Sequence, residues 1–248
     1  MKRVPAPGAR IAITEDAQDV DTNMLGFAIS PHEECAVEEA IRLVEKHGGS
    51  TTVITLGPPE AEDQLRAAFA IGADAAALLA TDVADWAPMP TAAALAAAVE
   101  DLEGREGVFD LILVGNESAD AGGYQVGVRM AYALDRPILS GIKSIDIADD
   151  RLTGTRETPT GNEVYEVGLP AVVAVKEGIN LPRYPTLKGR LGAKKKEVET
   201  FSPEHASDGQ TKVRLLEPPE QQSETRILGD GPGAAPAVVD VLEELGLL

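Results

Sequence analysis

Apolar positions along the chain follow two periods, and the switch between them divides it. From residue 31 to 134 short β-rich runs alternate with Ala-rich stretches at helical spacing, the pattern of a parallel sheet covered by helices. Residues 51–56 (TTVITL) and 109–114 (FDLILV) predict strands. Between them, residues 59–71 put Leu65, Ala68, Phe69 and Ala70 in one helical stretch closed by Gly72, and residues 91–102 predict a second, Ala-dominated helix. A helix from Pro31 carries a stripe of Ala36, Val37, Ala40, Ile41 and Val44, leaving Glu34, Glu38, Glu39 and Lys46 in water. After Pro137 the period shortens: residues 142–147, 151–155, 163–167 and 171–175 read as β segments joined by turns with Asp, Gly and Pro, an antiparallel extension of the sheet. From Pro182 the chain is rich in Pro, Lys, Glu and Ser, and it closes on a short helix over residues 234–247 with Val238, Val239, Val241, Leu242 and Leu245. The expectation is a three-layer, doubly wound α/β domain with a mainly parallel sheet over residues 1–181, then an arm over 182–248 whose last helix needs a surface to cover.

Charge narrows the partners. Lys and Arg number 22 against 41 Asp and Glu, a net charge of -19 that repels nucleic-acid phosphates and anionic lipid. No apolar run approaches the ~20 residues of a membrane span, and no signal-peptide pattern opens the chain. The single cysteine, Cys35, makes no intramolecular disulfide, and with three scattered histidines it builds no metal site. These features point to the cytoplasm.

Three segments carry candidate chemistry. Ser30-Pro31-His32-Glu33 has a capping serine, a proline at the first helical position and a glutamate three residues on, which together cap a helix; the same helix start, with its positive dipole end, is also suited to a nucleotide. Gly115-Asn116-Glu117-Ser118-Ala119-Asp120-Ala121-Gly122-Gly123-Tyr124-Gln125-Val126-Gly127 follows an apolar strand and leads into a helix, at the carboxyl edge where parallel sheets place ligands. Its glycines let backbone approach a phosphate, although it matches neither the Walker nor the GxGxxG pattern, and a plain Gly-rich loop over a strand end has the same composition. Arg183-Tyr184-Pro185-Thr186-Leu187, followed by the basic Lys194-Lys195-Lys196, puts exposed apolar side chains on a Pro-limited loop, either a protein contact or a solvated turn. No triad, metal cluster or paired acid and base argues for bond-making catalysis.

These segments, in this order, resemble the β subunit of electron transfer flavoproteins. The resemblance rests on Lys2-Arg3-Val4-Pro5, residues 34–43 (ECAVEEAIRL), Gly57-Pro58, residues 66–74 (RAAFAIGAD), the 115–127 loop, Leu169-Pro170-Ala171-Val172-Val173 and residues 182–196 (PRYPTLKGRLGAKKK). It implies an adenine nucleotide alpha hydrolase-like fold and a nucleotide site drawn from Ser30, Pro31, His32, Glu33, Leu56 and the 115–127 loop, holding AMP or, in electron-bifurcating members, a second FAD. It implies that the redox FAD lies mostly in a larger α subunit, with Glu157 and the stretch from Pro5 to Pro7 near it. It further implies that residues 182–187 form a recognition loop, with Arg183 and Tyr184 beside its anchor Leu187, for acyl-CoA or related flavin dehydrogenases, with a quinone oxidoreductase as acceptor. Two rivals are a bifurcating flavoprotein and a stand-alone adenine-nucleotide-binding module of the stress-protein type. In the family, Lys-Arg-Val-Pro ends a first strand; here Met1 directly precedes Lys2, so either the sheet lacks that strand and leaves its neighbour's backbone unpaired, or the start codon lies upstream, which is the expectation taken.

Overall fold

The computed structural model describes residues 1–83, 86–206, 212–219 and 225–248. An antiparallel ribbon of β1 (Arg3–Pro5) and β2 (Phe27–Ile29) leads into α1 (Pro31–His47). Pro31 presets the first helical φ, and Gly48 ends the helix at φ 83, a left-handed value that costs glycine little. Buried and half-buried positions alternate along β3 (Thr52–Gly57), and α2 (Glu62–Ile71) stops at Gly72, φ 132. There follow β4 (Ala75–Ala80), α3 (Pro88–Glu106), β5 (Leu111–Gly115), α4 (Val126–Ala133), β6 (Ile138–Ala148), β7 (Arg151–Thr158), β8 (Gly161–Gly168) and β9 (Ala171–Val175).

Two hydrogen-bonded blocks make up the α/β unit. One has the order β10-β4-β3, all parallel, where β10 is Glu199–Phe201. The other has the order β5-β9-β6-β7-β8. There β9, buried at every position, lies between β5 and β6 and parallel to both, so residues 171–175 return to the parallel core and do not continue the antiparallel extension as expected; that extension is β6, β7 and β8 alone. Among the described residues no ladder joins β3 to β5, although Ile54 of β3 and Ile112 and Val114 of β5 share one apolar cluster. Met1 lies along that edge of β3: its backbone nitrogen donates to Ile54 O at 2.7 Å, and Thr55 Oγ1 donates to its carbonyl at 2.9 Å.

Side-chain alternation puts helices on both faces. Val53 packs with α1 and α2 through Ile41, Leu65 and Phe69, whereas Ile54 packs with α3 and α4 through Ala92, Val99 and Met130. A third cluster, centred on Ile142, Leu152, Val173 and Val175, fixes the extension against Cys35 and Ala36 of α1.

Residues after 182 are more closely tied to this unit than their composition suggests. Helix α5 (Leu187–Ala193) packs on α2, and β10 pairs with β4. Farther on, the Leu215 N–H donates to Ala17 O at 2.8 Å, and α6 (Ala235–Glu244) buries no residue. Two stretches of the predicted arm, 207–211 and 220–224, lie outside the described residues. No described helix is long and apolar enough to cross a membrane.

Candidate nucleotide site and docking loop

The start of α1 and the loop after β5 meet through one bond. Ser30 is fully buried at the N-cap position, but it makes no side-chain cap; its Oγ accepts from Ala119 N–H at 3.2 Å, joining the helix start to the glycine loop. The expected capping box is therefore not formed. The Ser30 N–H goes to Lys2 O at 3.3 Å, and Glu33 turns into the protein against Gly115. A Cβ on Gly115 would lie 2.7 Å from the Glu33 carboxyl, so this glycine makes room for a side chain. Glu33 Oε2 is buried with no hydrogen-bond partner among the described residues. Burial pushes the Glu33 carboxyl above the ordinary carboxylate range, with the Met1 amino group first, then Ser30 and Lys2, offsetting only part of the effect.

The loop glycines divide by role. Gly127, like Gly115, serves packing: a Cβ there would meet Val114 Cγ2 at 2.7 Å, so the glycine lets α4 lie close on β5. Gly122 takes a left-handed φ of 54 and Gly123 faces open space, leaving these two free for close backbone approach. Asn116 N–H donates to Val175 O at 2.8 Å, locking the loop's first residue to β9, and Gly122 N–H returns to Ser118 O at 2.9 Å. No side chain caps α4 at Gln125.

The loop carboxylates are engaged. Asp120 binds Lys2 Nζ at 2.6 to 2.8 Å and accepts from the Ala121 N–H at 2.8 Å. Burial works against its ionisation, but Lys2 and the other hydrogen bonds outweigh it and hold Asp120 below the usual carboxylate range. His32 accepts the Glu177 N–H on Nδ1 at 3.2 Å and turns Nε2 to Glu117 Oε1 at 3.5 Å. A hydrogen bond to Glu117 raises the Tyr124 phenol above its ordinary value. Leu56 is half-buried at the carboxyl end of β3. A cavity of about 540 Å³ opens on the flank between α3 and α4, lined by Met89, Tyr124, Gln125, Val128, Arg129 and Tyr132 among others. It shares only Tyr124 and Gln125 with the predicted site and reaches neither Ser30 nor Glu33.

Away from this edge, Glu157 is exposed near the end of β7, 4.0 Å from Lys143 Nζ. Tyr184 is 93% exposed and Leu187 76%, whereas Arg183 turns inward to Glu38. That contact corrects the expectation for α1: Glu38 is 1% exposed, not solvated, because Arg183 and Arg42 supply the donors that make its burial tolerable. Arg42 lies one helical turn from Glu38, but Arg183 and the Asp120 partner of Lys2 lie 145 and 118 residues away and leave no local sequence signal.

The electron transfer flavoprotein domain family matches residues 20–206. The electron transfer flavoprotein subunit beta of Bacillus subtilis (strain 168) is 34% identical over 223 residues, covering 87% of this chain and 86% of that protein. The namesake proteins of Mycobacterium leprae (strain TN) and Syntrophomonas wolfei are each 38% identical, over 82% and 78% of this chain and 77% and 73% of theirs. By the extent of these matches, the chain belongs to the electron transfer flavoprotein β-subunit family.

Proposed function

We propose that this chain is the smaller subunit of a heterodimeric electron carrier, in which a larger α subunit holds most of one FAD and this chain holds AMP at the carboxyl edge of its sheet. The observation that carries the reading is the Ala119 to Ser30 bond, which draws the start of α1 and the glycine loop into one cradle. A nucleotide phosphate would be met by the start of α4, which no side chain caps, and by the open backbone at Gly123. Lys2 on Asp120, and His32 and Tyr124 on Glu117, keep the loop's carboxylates from opposing that phosphate.

FAD supplies the electron-transfer chemistry when bound; the chain's part is to position it and to present a docking surface. Glu157, with Lys143 beside it, lies toward the flavin, and Tyr184 and Leu187 anchor acyl-CoA or related flavin dehydrogenases, with a quinone oxidoreductase receiving the electrons. No residue is assigned a bond-making step. The three-layer domain of the adenine nucleotide alpha hydrolase type takes in α5 and β10, and the residues beyond them form an arm on the partner subunit, a role suited to α6, none of whose residues is fully buried. The buried free thiol of Cys35 suits the reducing cytoplasm.

Counting cofactors in the purified heterodimer tests the site: one FAD and one AMP are expected, whereas two FAD and no AMP would put a second flavin in this subunit. Failure of every acyl-CoA or related dehydrogenase to reduce the flavin-loaded heterodimer would refute the carrier role.

A further inference from the structure

An irregular loop that presents apolar side chains to a partner must be held by something other than its own backbone ladder, or its ordering cost weakens docking. Residues 182–186 have no helix or strand; Tyr184 projects from them, and Leu187 from the first turn of α5 that follows. What holds them is one helix. Arg183 donates from its backbone N–H to Glu38 Oε2 at 3.2 Å, from Nε to both Glu38 oxygens at 2.9 and 3.1 Å, and from Nη2 to Oε1 at 3.0 Å. The guanidinium also reaches Glu45 at 2.5 and 2.9 Å, and Arg42 Nε holds Glu38 Oε1 from the other side at 2.8 Å. Just before the loop, Asn180 Nδ2 donates to Cys35 O and to Glu39 Oε2. Beyond it, Thr186 caps α5 by accepting from Gly189 N–H at 3.0 Å, and Arg66 Nη1 holds Ala193 O at 2.8 Å.

We infer that Glu38 is a positioning residue: its buried carboxylate fixes Arg183, and through Arg183 the rotation and height of the docking loop that carries Tyr184 and Leu187. With Arg183 drawn into α1, its neighbour Tyr184 stands outward, 93% exposed. The planar fork of arginine suits this role, since it fixes direction as well as distance and a lysine ammonium would not. A buried pair of this kind sets one conformation more than it adds stability. Burial opposes the charge on Glu38, yet the arginine hydrogen bonds hold its carboxyl below the ordinary range, so the pair stays ionised at neutral pH.

This inference rests on the reading of residues 182–187 as a docking loop, and the test separates the two. Flavin-loaded heterodimers carrying Glu38→Gln, Arg183→Gln or Arg183→Lys are compared with wild type by hydrogen exchange and by reduction with an acyl-CoA dehydrogenase and its acyl-CoA; Leu187→Ala is the control. Exchange of residues 181–187 should rise about tenfold in Glu38→Gln and Arg183→Gln and less in Arg183→Lys, while β9 stays protected. The KM for the dehydrogenase should rise about fivefold or more with kcat within about twofold, since positioning acts on docking and not on the flavin. Arg183→Gln keeps the question open to measurement if Glu38→Gln fails to fold. Unchanged exchange in both Gln variants overturns the inference, as does an unchanged KM where Leu187→Ala raises it; a Leu187→Ala variant with wild-type kinetics instead refutes the docking role of the loop.

Discussion

Glu33→Gln replaces a buried carboxylate with its neutral isostere, and the structure predicts a more stable protein. Glu33 is enclosed against Gly115, one of its oxygens is unpartnered, and burial raises its pKa above the ordinary value of 4.5. An incompletely satisfied buried polar group costs on the order of 1–3 kcal/mol. Allowing for the attraction to the Met1 amino group that is lost and for the help of Ser30 and Lys2, the substitution should recover at most about 1–2 kcal/mol, equivalent to roughly 2–8 °C in Tm for a chain of this size. The pH dependence has a fixed sign. A raised native pKa means that the folded state holds the proton more tightly than the unfolded one, so this group's stability contribution is complete below about pH 4.5 and is lost as pH rises through the folded value. The advantage of Gln should therefore grow across that window and level off above it. Thermal melts of the flavin-loaded heterodimer from pH 5 to 9 measure it. A variant less stable than wild type at pH 8, or a difference that does not change with pH, would refute the reasoning.

Arg136→Ala should cost about 3–5 kcal/mol in denaturant titrations, because Arg136 and Glu103, 2.6 Å apart and 7% and 13% exposed, are a desolvated pair whose carboxylate would be stranded. Leu152→Ala, at a fully buried position in the cluster that fixes the antiparallel extension, should cost about 2–5 kcal/mol, read as a lower Tm. Gly189→Ala should detach α5 from α2, since a Cβ there collides with the backbone carbonyl of Ala70, and the rigid carbonyl cannot yield as a side chain would. Faster hydrogen exchange in residues 187–193 with little change in β9 is the expected result.

Much of the architecture was legible in the period of the apolar positions. The strand at Thr52–Gly57, the antiparallel segments after Pro137 and the helix ending at Gly72 all fall close to their predicted places, because each is bounded by a local stop signal. β4 was not legible: its AAALLA sequence has no β-branched residue and no alternation, and it becomes a strand because parallel neighbours on both sides bury it. α5 and β10 escaped for a similar reason, since the Lys- and Pro-rich composition around them describes their solvent side and not their packing on α2 and β4.

The candidate site divides along another line. Its address, a glycine loop at the end of an apolar strand, could be read from order alone, but the work of its parts could not, because that depends on residues distant in sequence. Ser30 looked like a cap and is instead an acceptor for Ala119, 89 residues on; Gly115 has a packing role that the loop's composition did not announce, making room for Glu33. Glu38 looked solvated and instead grips Arg183. All three contacts involve α1. Its sequence specifies a helix with one apolar stripe, and within that stripe's border the fold uses the polar residues to fix one loop at the helix start and another along its length. A substitution that shifts α1 as a body should therefore disturb both loops together, whereas Glu33→Gln and Glu38→Gln should separate them: the first changes the nucleotide end without loosening residues 181–187, and the second loosens those residues without changing AMP retention.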